Sequence, residues 1–257
     1  MKYFLAWLRI VLIVLLILIF LSAYLITALV RGRNIHRAFR IRKTCIKLMG
    51  KVLGYRITRI GHFDEIEPAI YISNHRCFSD PILALHYYHF LPIGKAEIEG
   101  YPLIGFAAEE TGILFVQRHD KSSRNKVKEA MRQKLRQNLS IFLCPEGTTS
   151  VLQLTKDFKK GAFEIAAEEQ IPVVPLAMVY YQPALDFWIP GDSLLTHFIK
   201  QFGKWQTRVD VHFPEHAFHH DDPIILMQEC KAWIDEKLSL VPVPKEVIDR
   251  SKDTLKV

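Results

Sequence analysis

From Ile10 to Val30 the chain runs 21 residues without a charged side chain. As a helix rising ~1.5 Å per residue, that run is about 31 Å long, enough to cross the hydrocarbon core of a bilayer. Its apolar residues occupy every face, which favours burial in lipid over packing of a single stripe. The run is too long for the apolar region of an ordinary signal peptide, and no A-x-A site ends it. It is therefore read as a membrane anchor, residues 1–31, with the rest of the chain folding downstream.

The net charge of +7 would suit a nucleic-acid binder, but its position argues otherwise. Residues 1–50 hold nine of the 34 Lys and Arg and no Asp or Glu, leaving 25 basic against all 27 acidic side chains in the remainder. Seven of those nine follow the apolar run, so the downstream domain is expected on the cytoplasmic side. The same cluster suits anionic lipid headgroups, and no nucleic-acid partner is expected. Four scattered cysteines, with no C-x-x-C, fit a reducing compartment and offer no zinc pattern.

Residues 32–53 read as a basic, membrane-proximal helix. From 54 to 240, apolar strand-like runs alternate with charged helical ones. Strands are expected at 55–60, 69–73, 91–94, 112–118 (buried), 140–144, 171–179 (broken or at an edge because of Pro175) and 207–213. Helices are expected at 81–90, 101–110, 122–138 (capped by Ser122 or Ser123), 157–169 and 223–240 (capped by Asp221 or Asp222). This alternation predicts an α/β fold, a mostly parallel sheet flanked by helices. The tail, 241–257, is expected to be loosely held.

Asn74-His75-Arg76-Cys77-Phe78-Ser79-Asp80 follows the apolar run Ala69–Ile72 and precedes Pro81. Five helical residues turn about 500°, so His75 and Asp80 cannot share a helix face. They can meet if His75 leaves a strand in a turn and Asp80 caps the next helix, with Pro81 at its first position. A carboxylate that holds one imidazole nitrogen leaves the other as a competent general base. Arg118 ends a strand-like run with a cation. Gly147, with its flanking hydroxyl residues, makes a loop whose N–H groups can hold an anion. Cys77 is a weaker candidate nucleophile. His212, His216, His219 and His220 match no standard metal spacing, so no metal and no cofactor is expected.

Four blocks in order, Asn74-His75-x-x-x-x-Asp80, Gly112-x-x-Phe115-Val116-x-Arg118, Pro145-Glu146-Gly147-Thr148 and Ile171-Pro172-Val173-Val174-Pro175, resemble those of the glycerolipid acyltransferases of the 1-acylglycerol-3-phosphate acyltransferase type. Lys95-x-Glu97 and Phe158-Lys159-Lys160-Gly161-Ala162 are similar to that family's connecting segments. The resemblance covers about residues 65–185. It implies a membrane-bound enzyme that moves a fatty acyl group from acyl-CoA or acyl-carrier protein to the free hydroxyl of a lysolipid. His75 would be the general base, Asp80 its orienting partner and Asn74 a support of the turn. Arg118, Glu146, Gly147 and Thr148 carry over as acceptor-site residues, with Glu146 better suited to ordering the loop than to touching phosphate. Gly112, Phe115 and Lys95 carry over as supporting residues.

One position departs from the pattern. Phosphate-accepting members commonly carry Arg after Glu-Gly-Thr, and here Thr149 stands in that place. A hydroxyl supplies neither the charge nor the bidentate geometry of a guanidinium, a loss typically worth ~1.5–3 kcal/mol. The expected acceptor is 1-acyl-sn-glycerol 3-phosphate. Lyso-ornithine lipid or another lysolipid is the alternative acceptor, and a membrane-tethered acyl-thioesterase the alternative activity.

Overall fold

The computed structural model describes residues 1–117, 120–189 and 191–253. Helix α1, Lys2–Arg31, contains the apolar run and is long and apolar enough to cross a membrane. Asn34 caps α2, Ile35–Val52, by accepting from the Arg37 N–H, and α2 packs back along α1. The remaining helices are α3 (Asp80–Tyr87), α4 (Pro102–Glu110), α5 (Lys121–Arg136), α6 (Gly161–Glu168), α7 (Pro183–Asp186), α8 (Leu194–Phe202), α9 (Pro223–Leu238) and α10 (Lys245–Asp253).

The strands are β1 (Tyr55–Ile60), β2 (Ile70–Ser73), β3 (Leu91–Lys95), β4 (Leu114–Val116), β5 (Ile141–Leu143), β6 (Val173–Tyr180) and β7 (Thr207–His212). They form one sheet in the order β1-β7-β6-β2-β5-β3-β4. All neighbours are parallel except β6 and β7. The sheet is thus mostly parallel, as expected, with β1 and β7 reversed against the other five strands. Period-two alternation splits its side chains. Tyr71, Phe142, Val174, Leu176 and Met178 face one layer, which α3 covers through Leu83 and Ala84. Ile70, Ile72, Ile141, Ala177 and Val179 face the other, filled by Met131 and Leu135 of α5, Phe163 of α6 and Ile234 of α9. Burial on both faces explains why β2 and β6 read as unbroken apolar runs.

Several expectations need correction. β4 is a half-buried edge strand rather than a buried one. α5 is capped by Asp120, which accepts from the Ser122 and Ser123 N–H groups, while the Ser123 hydroxyl accepts from Gln117 N. α6 starts at Gly161, not at 157. Pro175 breaks nothing on the β2 side, where it sits opposite Ile72. Alternation from Val173, whose N–H bonds Phe218 O, turns the missing N–H of Pro175 towards β7, just before the β7 ladder starts at Ala177. The tail is held as far as it is described: Val241 O and Val243 N both bond Gln153, and Val247 is buried in the core. The segment between β6 and β7, to which the sequence analysis assigns no element, holds α7 and α8; in α8, Leu195, Phe198, Ile199 and Phe202 stand at helical spacing behind a Ser193 cap.

Candidate active site

Because β2, β5 and β6 are adjacent and parallel, their carboxyl ends open on the same edge of the sheet. The first block leaves β2, the third leaves β5 and the fourth forms β6. Sequence-distant blocks therefore meet at the edge where α/β sheets usually place their ligands.

Asn74 joins the ends of β2 and β6 to one another. Its side-chain oxygen accepts from Met178 N at 2.8 Å and its amide donates to Met178 O at 3.0 Å, so it extends the β2–β6 pairing by one side chain. His75 follows, and the third block grips its backbone from both sides. Glu146 Oε1 accepts from His75 N at 2.9 Å, and Ser150 N donates to His75 O at 2.9 Å. The imidazole stays partly open, with 15% of the side chain exposed, whereas Asp80 is fully enclosed.

Nδ1 of His75 faces Oδ2 of Asp80 at 2.8 Å. The same oxygen accepts from Arg76 N at 2.5 Å and Cys77 N at 2.8 Å. Asp80 is the first residue of α3, and Ser79 occupies the cap position that the sequence assigned to Asp80. The physical reason is that its carboxylate folds back onto the preceding turn and is not available to the helix N–H groups. Oδ1 accepts from the Tyr180 hydroxyl at 2.5 Å. A buried cluster surrounds that bond: the Tyr180 hydroxyl lies 3.2 Å from Ser79 Oγ and 3.4 Å from Cys77 Sγ. Burial pushes the Cys77 thiol up to about 12, which removes it as a nucleophile.

Burial opposes a charged His75, but the adjoining Cys144 sulfur and the hydrogen-bonded Asp80 carboxylate outweigh it and raise the pKa of the ring. With Nδ1 engaged by a carboxylate, the second nitrogen is the one left to exchange a proton.

Arg76, whose orientation the sequence leaves open, points inward. It is 1% exposed, donates to Ser150 O at 3.0 Å and Gln153 O at 3.1 Å, and lies over the Phe187 ring. It therefore ties the turn after β2 to the loop after β5.

The acceptor-site candidates divide. Glu146 is only 3% exposed and bridges backbone groups, with Oε2 accepting from Lys156 N at 2.8 Å; it orders the loop and presents no free carboxylate. Gly147 N donates to Cys144 O at 3.0 Å, so it closes a turn and does not offer a free anion donor, contrary to expectation. Its φ of 70° is one that side chains rarely adopt. Thr148 is exposed at the tip of the loop. Arg118 lies outside the described residues.

The supporting candidates belong to β3 and β4, and of them Lys95 alone stands at the same carboxyl edge. Lys95 ends β3, two strands from β2, and pairs with Glu97 at 2.8 Å. Phe115 is half-buried in β4. Gly112 has a φ of 86°, and a Cβ there would come within 2.4 Å of Leu91 Cδ2, so its place is structural. The histidines of 212–220 go to separate partners: His212 is buried at the end of β7, His219 bonds Gln170, and His220 accepts from Asp222 N. Tyr180 and Ser150 were missed by the sequence reading. The only sequence signal for Tyr180 is its place one residue past the fourth apolar run.

Residues 55–179, just under half of the chain, match the family model described as Acyltransferase, the class of domain that the four blocks resemble. Over 198 residues the chain is 29% identical to 1-acyl-sn-glycerol-3-phosphate acyltransferase alpha of Ovis aries, covering 75% of this chain and 66% of that protein. It is 31% identical to the lyso-ornithine lipid O-acyltransferase of Pseudomonas aeruginosa over 137 residues, 51% of this chain and 52% of the relative. The chain thus spans just under two thirds, or about half, of these relatives' length. The crystal structure of the 1-acyl-sn-glycerophosphate (LPA) acyltransferase of Thermotoga maritima superposes with a TM-score of 0.66 at 16% identity, covering 91% of this chain and 97% of that one, a likeness of fold.

Proposed function

We propose that the chain acylates the free hydroxyl of a lysolipid, 1-acyl-sn-glycerol 3-phosphate, from an acyl thioester, either acyl-CoA or acyl-carrier protein. The product is phosphatidic acid. The observation that carries this reading is the 2.8 Å pair of His75 Nδ1 and Asp80 Oδ2 at the open carboxyl edge of an acyltransferase-family domain.

The Asp80 carboxylate holds the Nδ1 proton, so the second ring nitrogen accepts the proton of the acceptor hydroxyl. The oxygen attacks the thioester carbonyl. The tetrahedral intermediate collapses, the C–S bond breaks, and the proton passes from His75 to the departing thiolate. Asp80 offsets the charge of the transient imidazolium. The route needs no acyl-enzyme, because the acceptor oxygen attacks the thioester directly, and Cys77, the thiol inside the turn, is buried and protonated.

Helices α1 and α2 hold this edge at the membrane, on the cytoplasmic side given the basic cluster after α1. A thioesterase using the same base on water is the competing activity.

The test uses purified full-length protein, a labelled acyl donor and lysophosphatidate. Wild type is expected to form phosphatidic acid, and His75→Ala to lose at least ~10²-fold of that activity with its circular dichroism unchanged, the usual range for a general base. Full activity in His75→Ala ends this reading. Release of free fatty acid independent of any acceptor replaces it with the thioesterase.

A further inference from the structure

Residues 144–160, between β5 and α6, form neither helix nor strand. An irregular run of this length keeps one conformation only where other elements hold it. Two sets of bonds do so. On the catalytic side, Glu146 and Ser150 hold the His75 backbone, and Arg76 donates to Ser150 O and Gln153 O. On the far side, Asp235 of α9 accepts from Thr155 N and Thr155 Oγ1, each at 2.8 Å. Lys231 of the same helix donates to Thr155 O at 3.2 Å.

Gln153 belongs to both sets. Its carbonyl oxygen takes Arg76 Nη2 at 3.1 Å. Its side chain spans the end of α9 and the start of the tail. Nε2 donates to Leu238 O at 2.9 Å and to Val241 O at 3.2 Å, and Oε1 accepts from Val243 N at 2.7 Å. Donor and acceptor ends of the amide are thus both in use. These bonds draw the tail over the buried guanidinium, where Val241 and Val243 line one small cavity with Arg76, Gln153, Tyr180 and Phe187.

Arg76 carries the connection into the site. Its N–H donates to Asp80 Oδ2 at 2.5 Å, the oxygen that also faces His75 Nδ1 at 2.8 Å. One residue and one carboxylate oxygen therefore separate Gln153 from the catalytic imidazole.

We propose that Gln153 is a positioning residue for the acyl transfer. It clamps the tail and the end of α9 to the loop after β5, and through Arg76 it keeps Asp80 aligned with His75. This rests on the acyl-transfer reading, whose reaction it positions. Gln153 acts on how often the His–Asp pair is aligned and not on the binding of either substrate.

The experiment uses the purified full-length protein and two variants that break the clamp from opposite sides. Gln153→Met keeps an unbranched side chain and loses all three bonds. Val243→Pro leaves Gln153 in place and removes the N–H that the tail donates to it. Val243 already precedes Pro244, which biases it towards the extended region that suits proline.

Gln153→Met is expected to lower kcat for transfer to lysophosphatidate about tenfold, less than the ~10²-fold of a 1 Å misplacement. KM for both substrates should stay unchanged. The acid limb of the pH–rate profile should fall towards the ~6.5 of an ordinary imidazole, because a ring less often aligned with Asp80 is less favoured as the cation. Val243→Pro should act the same way, about threefold for its one neutral hydrogen bond. The double variant should lose no more than Gln153→Met, since two breaks in one clamp do not add. Amide hydrogen exchange over residues 74–80, read by mass spectrometry, should quicken in each variant.

A lower kcat with an unmoved limb overturns the proposal and leaves Gln153 a contact of the fold alone. A loss that lies in KM also overturns it, by moving Gln153 to substrate binding. Unchanged exchange over 74–80 overturns the clamp while acyl transfer by the wild type stands. A wild type that transfers no acyl group to lysophosphatidate, with exchange quickened in both variants, overturns the acyl-transfer reading and supports the clamp.

Discussion

Asp80 accepts three hydrogen bonds at Oδ2 and two at Oδ1, a long one from Cys77 Sγ and a short one from the Tyr180 hydroxyl, which comes from another part of the fold. The Tyr180 hydroxyl stabilises the carboxylate and draws charge away from the bond to His75. Its loss leaves more of the carboxylate's charge directed at the ring and the imidazolium more strongly favoured. Tyr180→Phe is therefore expected to lower kcat by about tenfold, within the ~1.5–3 kcal/mol of a hydrogen bond to a charged group. It should also shift the acid limb of the pH–rate profile upward. A loss of kcat with an unmoved limb would assign Tyr180 to packing alone.

The raised pKa of His75 sets the sign of that limb. The base works neutral, so kcat/KM should increase with pH through a midpoint above the ~6.5 of an ordinary imidazole. Asp80→Asn removes the charge that favours the imidazolium, and its residual activity should show a lower midpoint. The same shift links protonation to stability: a charged His75 stabilises the fold fully below ~6.5, and that contribution disappears as the pH rises through about 10.

At the scale of elements, the site exists because three neighbouring strands end together. Asn74 secures two of those ends, β2 and β6, at a depth where water cannot replace it. Asn74→Ala would leave the N–H and C=O of Met178 buried without those partners. The expected cost is about 2–4 kcal/mol, from ~1–3 kcal/mol for each unsatisfied group with partial relaxation. It is read as a fall in the urea midpoint at unchanged slope. Activity per folded molecule should fall too, since His75 is the next residue.

Much of this layer could be read from the sequence. The apolar runs are strands, and the His75–Asp80 spacing excluded a shared helix face and required a turn, which is what the structure has. The remainder depended on partners remote in sequence. Glu146 bonds a backbone N–H 71 residues earlier, and nothing local tells a buried bridging carboxylate from an exposed one. Tyr180 finds Asp80 from 100 residues away. Asp120 outcompeted two serines for the cap of α5 because its side chain reaches both free N–H groups at once. The reversal of β7 follows from its approach to β6 through α8, whose apolar residues at helical spacing and Ser193 cap were legible and were passed over.

Over the whole molecule, α1 is not a free-standing mast. One face of it packs on α2 and α8 through Ala6, Ile13 and Phe202. Arg9, the single charge near the apolar run's start, is buried in that contact. Its guanidinium donates to the carbonyl of Phe202, one of those a helix leaves unpaired at its carboxyl end, and to those of Lys204 and Trp205 just beyond it. The packed surface continues to Phe78 of the His75–Asp80 turn, which meets Phe198 and Phe202 edge-on. The anchor and the His75 turn are thus coupled through one apolar cluster. The opposite face of α1 shows Phe4, Trp7 and Val11 to the outside, and Trp205 beside it is 81% exposed. A surface this apolar is costly in water and favourable in lipid, at roughly 25 cal/mol per Å². If α1 and the end of α8 together face the bilayer, vesicles of brominated phospholipid should quench the exposed Trp7 and Trp205 and leave the half-buried Trp188 and Trp233 largely bright. Trp7→Phe combined with Trp205→Phe should then remove most of the quenching while flotation with vesicles persists, because the remaining apolar face of α1 is intact. Quenching that survives in the double variant would mean that the lipid lies against another side of the molecule, and that the catalytic edge reaches its acceptor from a different direction.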